Sequence, residues 1–228
     1  MRKPVLLLLL LIAMAAPAEA RWYQVEIIVF ARNARDAGAT EYWPDDPGTP
    51  SVTDAQRLAN AGGNAAYSRL PRSELALEGS YGGLVASRGE YEPLLHLAWR
   101  QPVSNDSRAV PVYLSTDPAS SASPRLEGTL KLSAGRYLHA ELDLVLSRLE
   151  PEQASSGAAD ENSPYRGPAY RSYRMQQHRR MRSGELHYID HPLMGVLLLV
   201  RPYAPPGAAE EAEPDREGQD ESAPPARD

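Results

Sequence analysis

From residue 126 to residue 149 the chain alternates apolar and polar side chains almost without a break. Leu126, Gly128, Leu130 and Leu132 share one parity. Past Ala134-Gly135 the pattern resumes with Leu138, Ala140, Leu142, Leu144 and Leu146, separated by His139, Glu141 and Asp143. A period of two places one set on a buried face and the other toward solvent, which only a half-buried strand can exploit. With Ala134-Gly135 as the turn, the stretch predicts an antiparallel hairpin of strands 126–133 and 136–149. The second arm exceeds the usual strand length, so it is expected to bend or to lie at the centre of its sheet. Such a hairpin needs further strands or a helix to cover its apolar face.

Those strands are legible elsewhere. Residues 22–31 (WYQVEIIVFA) read as a strand whose second face turns apolar toward its end, as for a strand entering a sheet interior. In 91–101, Leu95, Leu97 and Trp99 alternate with Leu94, His96, Ala98 and Arg100. In 109–115, Val110, Val112 and Leu114 share a face, and Pro111 favours an edge position. Residues 170–181 and 195–203 complete the set; the last is apolar on both faces and therefore central. Residues 53–61 suit two turns of helix capped by Ser51 or Thr53, and a second short helix is expected over 81–87, stopped by Gly89. The expected fold is α+β: a mainly antiparallel sheet of about six or seven strands with one or two short helices. It forms one domain over 21–203, with loops 32–72 and 150–168. The first loop is pinned back by Tyr42 and Trp43.

The two ends carry different information. Arg2-Lys3, an apolar run over 5–16 and Ala18-Glu19-Ala20 have the form of a secretory signal peptide cleaved before Arg21. The run is too short for the ~20 residues that span a bilayer, so no membrane insertion is expected after cleavage. With no cysteine in the chain, the fold has no disulfide and no lipid-attachment site, and must rest on its core. Arginine far outnumbers lysine, which together with abundant alanine and proline suggests a bacterial protein of a Gram-negative periplasm. Residues 204–228 hold eight acidic residues against Arg216 and Arg227, which accounts for the whole formal charge of −6. This tail reads as disordered. The body is then close to neutral, which excludes a strongly basic nucleic-acid binder.

Chemistry concentrates in 178–202, HRRMRSGELHYIDHPLMGVLLLVRP, which holds three of the five histidines beside the most apolar run of the body. His187 and His191 at i and i+4 would share a face on a helix, as zinc ligands do. Gly184, Pro192 and the strand formers Tyr188 and Ile189 argue against a helix. On a strand, 187, 189 and 191 face one way and Asp190 the other, so turn backbone groups are the better partners for these side chains. A metal-dependent wall hydrolase using His187, Asp190 and His191 is the remaining enzymatic alternative. There is no cysteine nucleophile and no G-x-S-x-G elbow, and no cofactor is expected. The arginines are more informative. Arg166, Arg171, Arg174, Arg179, Arg180 and Arg182 fall in 165–182 without a single acid. Guanidinium forks suit carboxylates and phosphates, and tyrosines offer flat surfaces to sugar rings. Arg174, Arg179, Arg180, Arg182, His187 and His191 are accordingly the candidate binding residues, with pairing to Glu141, Asp143 and Glu150 as the competing role for the arginines.

The residues also carry a resemblance. RWYQVEIIVFAR after a signal peptide, LLHLAWRQP at 94–102, GTLKL and YLHAELDLVL within 128–146, and RRMRSGELHYIDHPLMGVLLLVRPY at 179–203 resemble the CsiV-type periplasmic proteins of gammaproteobacteria. The resemblance covers the body and is loose over 32–72, 150–168 and the tail. It implies a non-enzymatic peptidoglycan-binding protein that supports cell-wall assembly and cell shape, as helper to a penicillin-binding-protein synthase or its outer-membrane lipoprotein activator. It implies no catalytic residue. A periplasmic protein–protein adaptor without direct glycan binding is the other alternative.

Overall fold

The computed structural model describes residues 21–33, 42–44, 46–60, 65–116, 123–150 and 169–206. The expected signal peptide (1–20), the 151–168 part of the second loop and most of the acidic tail (207–228) lie outside them. Among the described residues, eight strands run in chain order: β1 (Arg21–Arg32), β2 (Tyr91–Val103), β3 (Pro111–Ser115), β4 (Arg125–Ala134), β5 (Leu138–Glu150), β6 (Ala169–Met181), β7 (Leu186–His191) and β8 (Met194–Pro202). They form two four-stranded sheets where one was expected. Sheet I has the order β2-β1-β8-β7 and sheet II the order β3-β4-β5-β6, and every neighbouring pair is antiparallel.

The inner faces of the two sheets share one core. Val25, Ile27 and Val29 of β1 and Val196, Leu198 and Val200 of β8 belong to the same buried cluster as Leu130 of β4 and Leu142 and Leu144 of β5. The hairpin follows its alternation: Leu138, Ala140, Leu142, Leu144 and Leu146 are all buried, and His139, Glu141 and Asp143 face outward. β1, β5 and β8 are interior strands and β3 is an edge, as their patterns require. Pro93 and Pro102 are tolerated in β2 because it too is an edge strand, where an absent N–H costs no ladder bond. A bulge at Leu94 breaks the register between Val29 and Phe30.

Residues 46–60 run as a strap across the outer face of sheet II. Arg174 donates to the Pro47 carbonyl at 3.2 Å, and farther along Gln56 bridges β3 in parallel through Gln56 N–Pro111 O (2.8 Å) and Tyr113 N–Gln56 O (2.9 Å). The helix expected over 53–61 is therefore absent from its described part. The backbone groups it would use are taken by β3 and by the bridge between Ala59 and Ser68. The chain then lies along β2, with Tyr67 N bonded to Arg100 O and Leu70 N to Ala98 O, so that one segment joins the edges of both sheets. Trp43 does pin the start of the loop, edge-on to Tyr173 of β6 (5.3 Å) and tilted on His191 of β7 (5.2 Å). Tyr42 does not; it is almost fully exposed.

One α-helix is present among the described residues, α1 (Glu78–Val85), beginning three residues before the expected start. Two lone 3-10 turns flank other loops. α1 covers the outer face of β1 and β8, where Ile28, Phe30, Leu77 and Leu199 make a second, smaller core with Tyr81 and Leu84 against it. This is why β1 becomes apolar on both faces toward its end. The carboxylate of Glu26, 1% exposed, accepts from Ala76 N and Leu77 N and pairs with His96 Nε2, each at 2.8 Å. It anchors the helix entrance to the sheet. None of the described helices is long and apolar enough to cross a membrane.

Candidate functional site

The 178–202 stretch does not lie within one sheet. Its first residues finish β6 at the edge of sheet II, the chain turns through Gly184, and β7 and β8 then belong to sheet I. Gly184 takes φ +83°, which glycine adopts without penalty, and its N–H donates to Val200 O at 2.8 Å. Antiparallel pairing sets Met181 opposite Leu138, so the β6–β7 turn emerges beside the β4–β5 turn at the same end of the sandwich.

That end is cationic. Arg21, Arg136, Tyr137, Arg182, Ser183 and Glu185 line part of a cleft of about 310 Å³. The Tyr137 ring has the Arg180 guanidinium 4.6 Å from its centre and that of Arg136 at 5.6 Å. Such contacts hold planar cations in place while leaving their N–H edges for a ligand. Arg179 is exposed and has no ion-pair partner among the described residues. Arg182 meets Glu185 at 3.5 Å, both well exposed, a pair too weak to lock either side chain. His187 joins the edge of the group, its Nε2 at 3.4 Å from the Arg182 carbonyl. Beside Arg180, His139 and His178 stack with centroids 5.1 Å apart, and Nδ1 and Nε2 at 3.1 Å.

Two of the candidate residues belong elsewhere. Arg174 grips Asp143 across the β5–β6 ladder with both nitrogens (2.7 and 2.8 Å), and its hydrogen bond to that carboxylate raises its already high pKa. Together with its bond to Pro47 this makes it the clasp of the 46–60 strap. His191 is 8% exposed, its Nδ1 accepts from Leu193 N at 3.2 Å, and its ring lies against Trp43. It joins the two sheet edges. Asp190 points away from both histidines, held by Arg32 at 2.8 Å and by the Tyr188 hydroxyl. No cluster of three metal-ligating side chains occurs among the described residues, so the metal-ligand set drawn from the spacing is not assembled.

The surroundings of His191 give a pH dependence. Burial pushes its pKa below the ordinary 6.5, with Asp190 and a backbone hydrogen bond to Arg174 pulling weakly the other way. The unfolded imidazole takes up a proton more readily than the folded one. Its contribution to stability is thus fully present above 6.5 and is lost as the pH falls through the folded pKa. Melting temperatures measured from about pH 7.5 to 5 should fall toward acid, and His191→Gln should flatten that part of the curve. An unchanged slope would show that the ring is not buried as described.

Arg21, Arg136 and Tyr137 were not evident from sequence. Their signal is the pairing of β5 with β6, which brings the two turns together and which no local pattern states. Taken as a whole, the end of the sandwich has the parts of a binding surface for a polymer that carries carboxylates: exposed guanidiniums, a flat aromatic and an open cleft. Residues 4–203 match the family described as "Peptidoglycan-binding protein, CsiV", and the chain belongs to it. No curated protein and no solved structure matches the chain.

Proposed function

We propose that this is a non-enzymatic periplasmic protein that binds peptidoglycan and supports cell-wall assembly and cell shape. It does so by assisting a penicillin-binding-protein synthase or its lipoprotein activator. The family supplies peptidoglycan as the ligand, and the signal-peptide pattern supports the periplasm. The observation that carries the site is the guanidinium–Tyr137–guanidinium group, with Arg182 in the adjoining cleft and Arg179 exposed on the other face of β6. Stem peptides bear free carboxylates, and arginine forks receive these through paired, charge-assisted hydrogen bonds. Exposed charges act through solvent, so retention should depend on salt. Purified sacculi should sediment the protein at about 0.15 M salt and release most of it near 1 M, where the screening length falls from ~8 to ~3 Å. Retention at neither ionic strength would refute peptidoglycan binding, and salt-independent retention would refute the arginine site.

A protein-adaptor role has one observation in its favour. Leu186 and Tyr188, each nearly half exposed, project from the outer face of edge strand β7. Crosslinks to another envelope protein that persist after glycan digestion would favour that reading.

A further inference from the structure

The opposite end of sheet II holds a second groove, of about 530 Å³, on the outer face between the strap and the strands. Its volume lies within the range of about 300–1,000 Å³ typical of small-ligand clefts. Along β5, Ser147 in its floor is nine residues from Leu138 at the basic end, roughly 30 Å at 3.3 Å per residue. The two sites are therefore separate.

Its lining differs in kind from the basic end. Tyr113 of β3 and Tyr170 of β6 stand at the two edges of the sheet, and the floor between them includes Val145, Arg125 and Glu127. Three strand spacings of about 4.8 Å separate those edges, ~14 Å in all, room for more than one sugar ring. The hydroxyls of Ser115, Thr116, Ser147 and Ser172 also line it, with Ser147 and Ser172 bonded to each other at 2.8 Å. Glu127 accepts from Tyr113 Oη at 2.8 Å, which fixes the carboxylate while leaving it further acceptor capacity. Tyr170 is 44% exposed, and the Arg125 guanidinium lies 4.9 Å from its ring centre. Arg125 Nε is closed off from solvent without a hydrogen-bond partner among the described residues, the kind of buried donor that usually has a reason.

We infer that this groove is a subsite for the glycan strand itself, taking a short run of uncharged N-acetylated sugar rings. The inference rests on peptidoglycan being the ligand and divides it: carboxylates of the stem peptide at the basic end, sugar rings here. An exposed tyrosine stacks on the apolar face of a pyranose, Val145 adds an apolar floor, and hydroxyl, carboxylate and guanidinium groups meet ring hydroxyls and acetamides. The lining carries Arg125 against Glu127 and Asp46, which gives no excess of positive charge to attract a carboxylate. Two weak sites on one rigid sheet give a polymer ligand a gain in avidity that neither has alone.

The test uses the mature protein and two probes, intact sacculi and glycan strands stripped of stem peptides by an amidase, with the lactyl carboxylates so freed capped as neutral amides. The wild type should bind the stripped strands. Tyr170→Ala, which removes a surface ring, should weaken that binding at least tenfold. Ser115→Trp, which fills the groove from an outward-facing position of β3, should do the same. Both variants should melt with the wild type. Reversing charge at Arg179, Arg180 and Arg182 should leave binding of stripped strands unchanged. If sacculi are bound and stripped strands are not, or if neither groove variant matters, the groove assignment is wrong and peptidoglycan binding stands. If neither probe is bound, both fall.

Discussion

The triple variant Arg179→Glu, Arg180→Glu, Arg182→Glu should lose at least about tenfold in affinity for intact sacculi without losing stability. All three side chains are exposed. Arg179 has no ion-pair partner among the described residues, and Arg182 has only the loose contact with Glu185. The fold therefore does not depend on them. An exposed ion pair contributes about 0.2–1 kcal/mol. Three such pairs lost amount to roughly 0.6–3 kcal/mol, and three repulsions add about as much, so the sum reaches or exceeds the 1.4 kcal/mol of a tenfold change. The variant's melting temperature should match that of the wild type, so that weaker sedimentation reports the surface and not unfolding. Equal retention of variant and wild type would place the peptide-reading site elsewhere.

The largest loss of stability is expected from Glu26→Ala. The carboxylate is buried under α1, and three donors converge on it: Ala76 N, Leu77 N and His96 Nε2. The His96 ring also stacks on Tyr81 of α1 (5.1 Å), so one side chain fixes the helix through its backbone and through its neighbour. Removing it orphans two backbone N–H groups at about 1–3 kcal/mol each and breaks a buried pair. The sum is about 3–5 kcal/mol, the usual range for deleting one member of such a pair. Urea unfolding followed by circular dichroism should show this as a lower midpoint. Glu26→Gln, which keeps one acceptor, should fall between. A loss below about 1 kcal/mol would mean that solvent reaches the carboxylate.

Much of the strand structure could be read from the chain, because alternation reports which side of a strand is buried. β4 and β5 followed from their leucines, β8 from being apolar on both faces, and β3 from Pro111 at an edge. Alternation does not report the partner across the core. One sheet of six or seven strands and two facing sheets of four have the same local patterns, and only long-range pairing separates them. The same limit affected the site. The pattern puts 195–203 at the centre of a sheet, as β8 is, but it does not show that 178–202 leaves one sheet at its edge strand β6 and enters the other at its edge strand β7. Arg174 and Arg180 lie on the same face of β6, so parity could not distinguish them. The difference is the residue opposite on β5 and above the strand: Asp143 and the strap for Arg174, the Tyr137 turn for Arg180. Residues 53–60 have a helical composition, and their backbone groups are claimed by β3 and Ser68 instead. The sheet II groove was invisible for a related reason, since Tyr113, Arg125 and Tyr170 meet only through the β3-β4-β5-β6 order.

The most direct measurement is a titration of isotope-labelled protein spanning residues 21–228 with a soluble disaccharide–peptide muropeptide, followed through its backbone amide resonances. The amides of the 135–137 and 182–185 turns should shift together and saturate at one ligand affinity, and the shifts should collapse in the charge-reversed variant. Resonances of both turns that stay in place at saturating muropeptide would contradict the assignment of the basic end as the peptidoglycan-binding site.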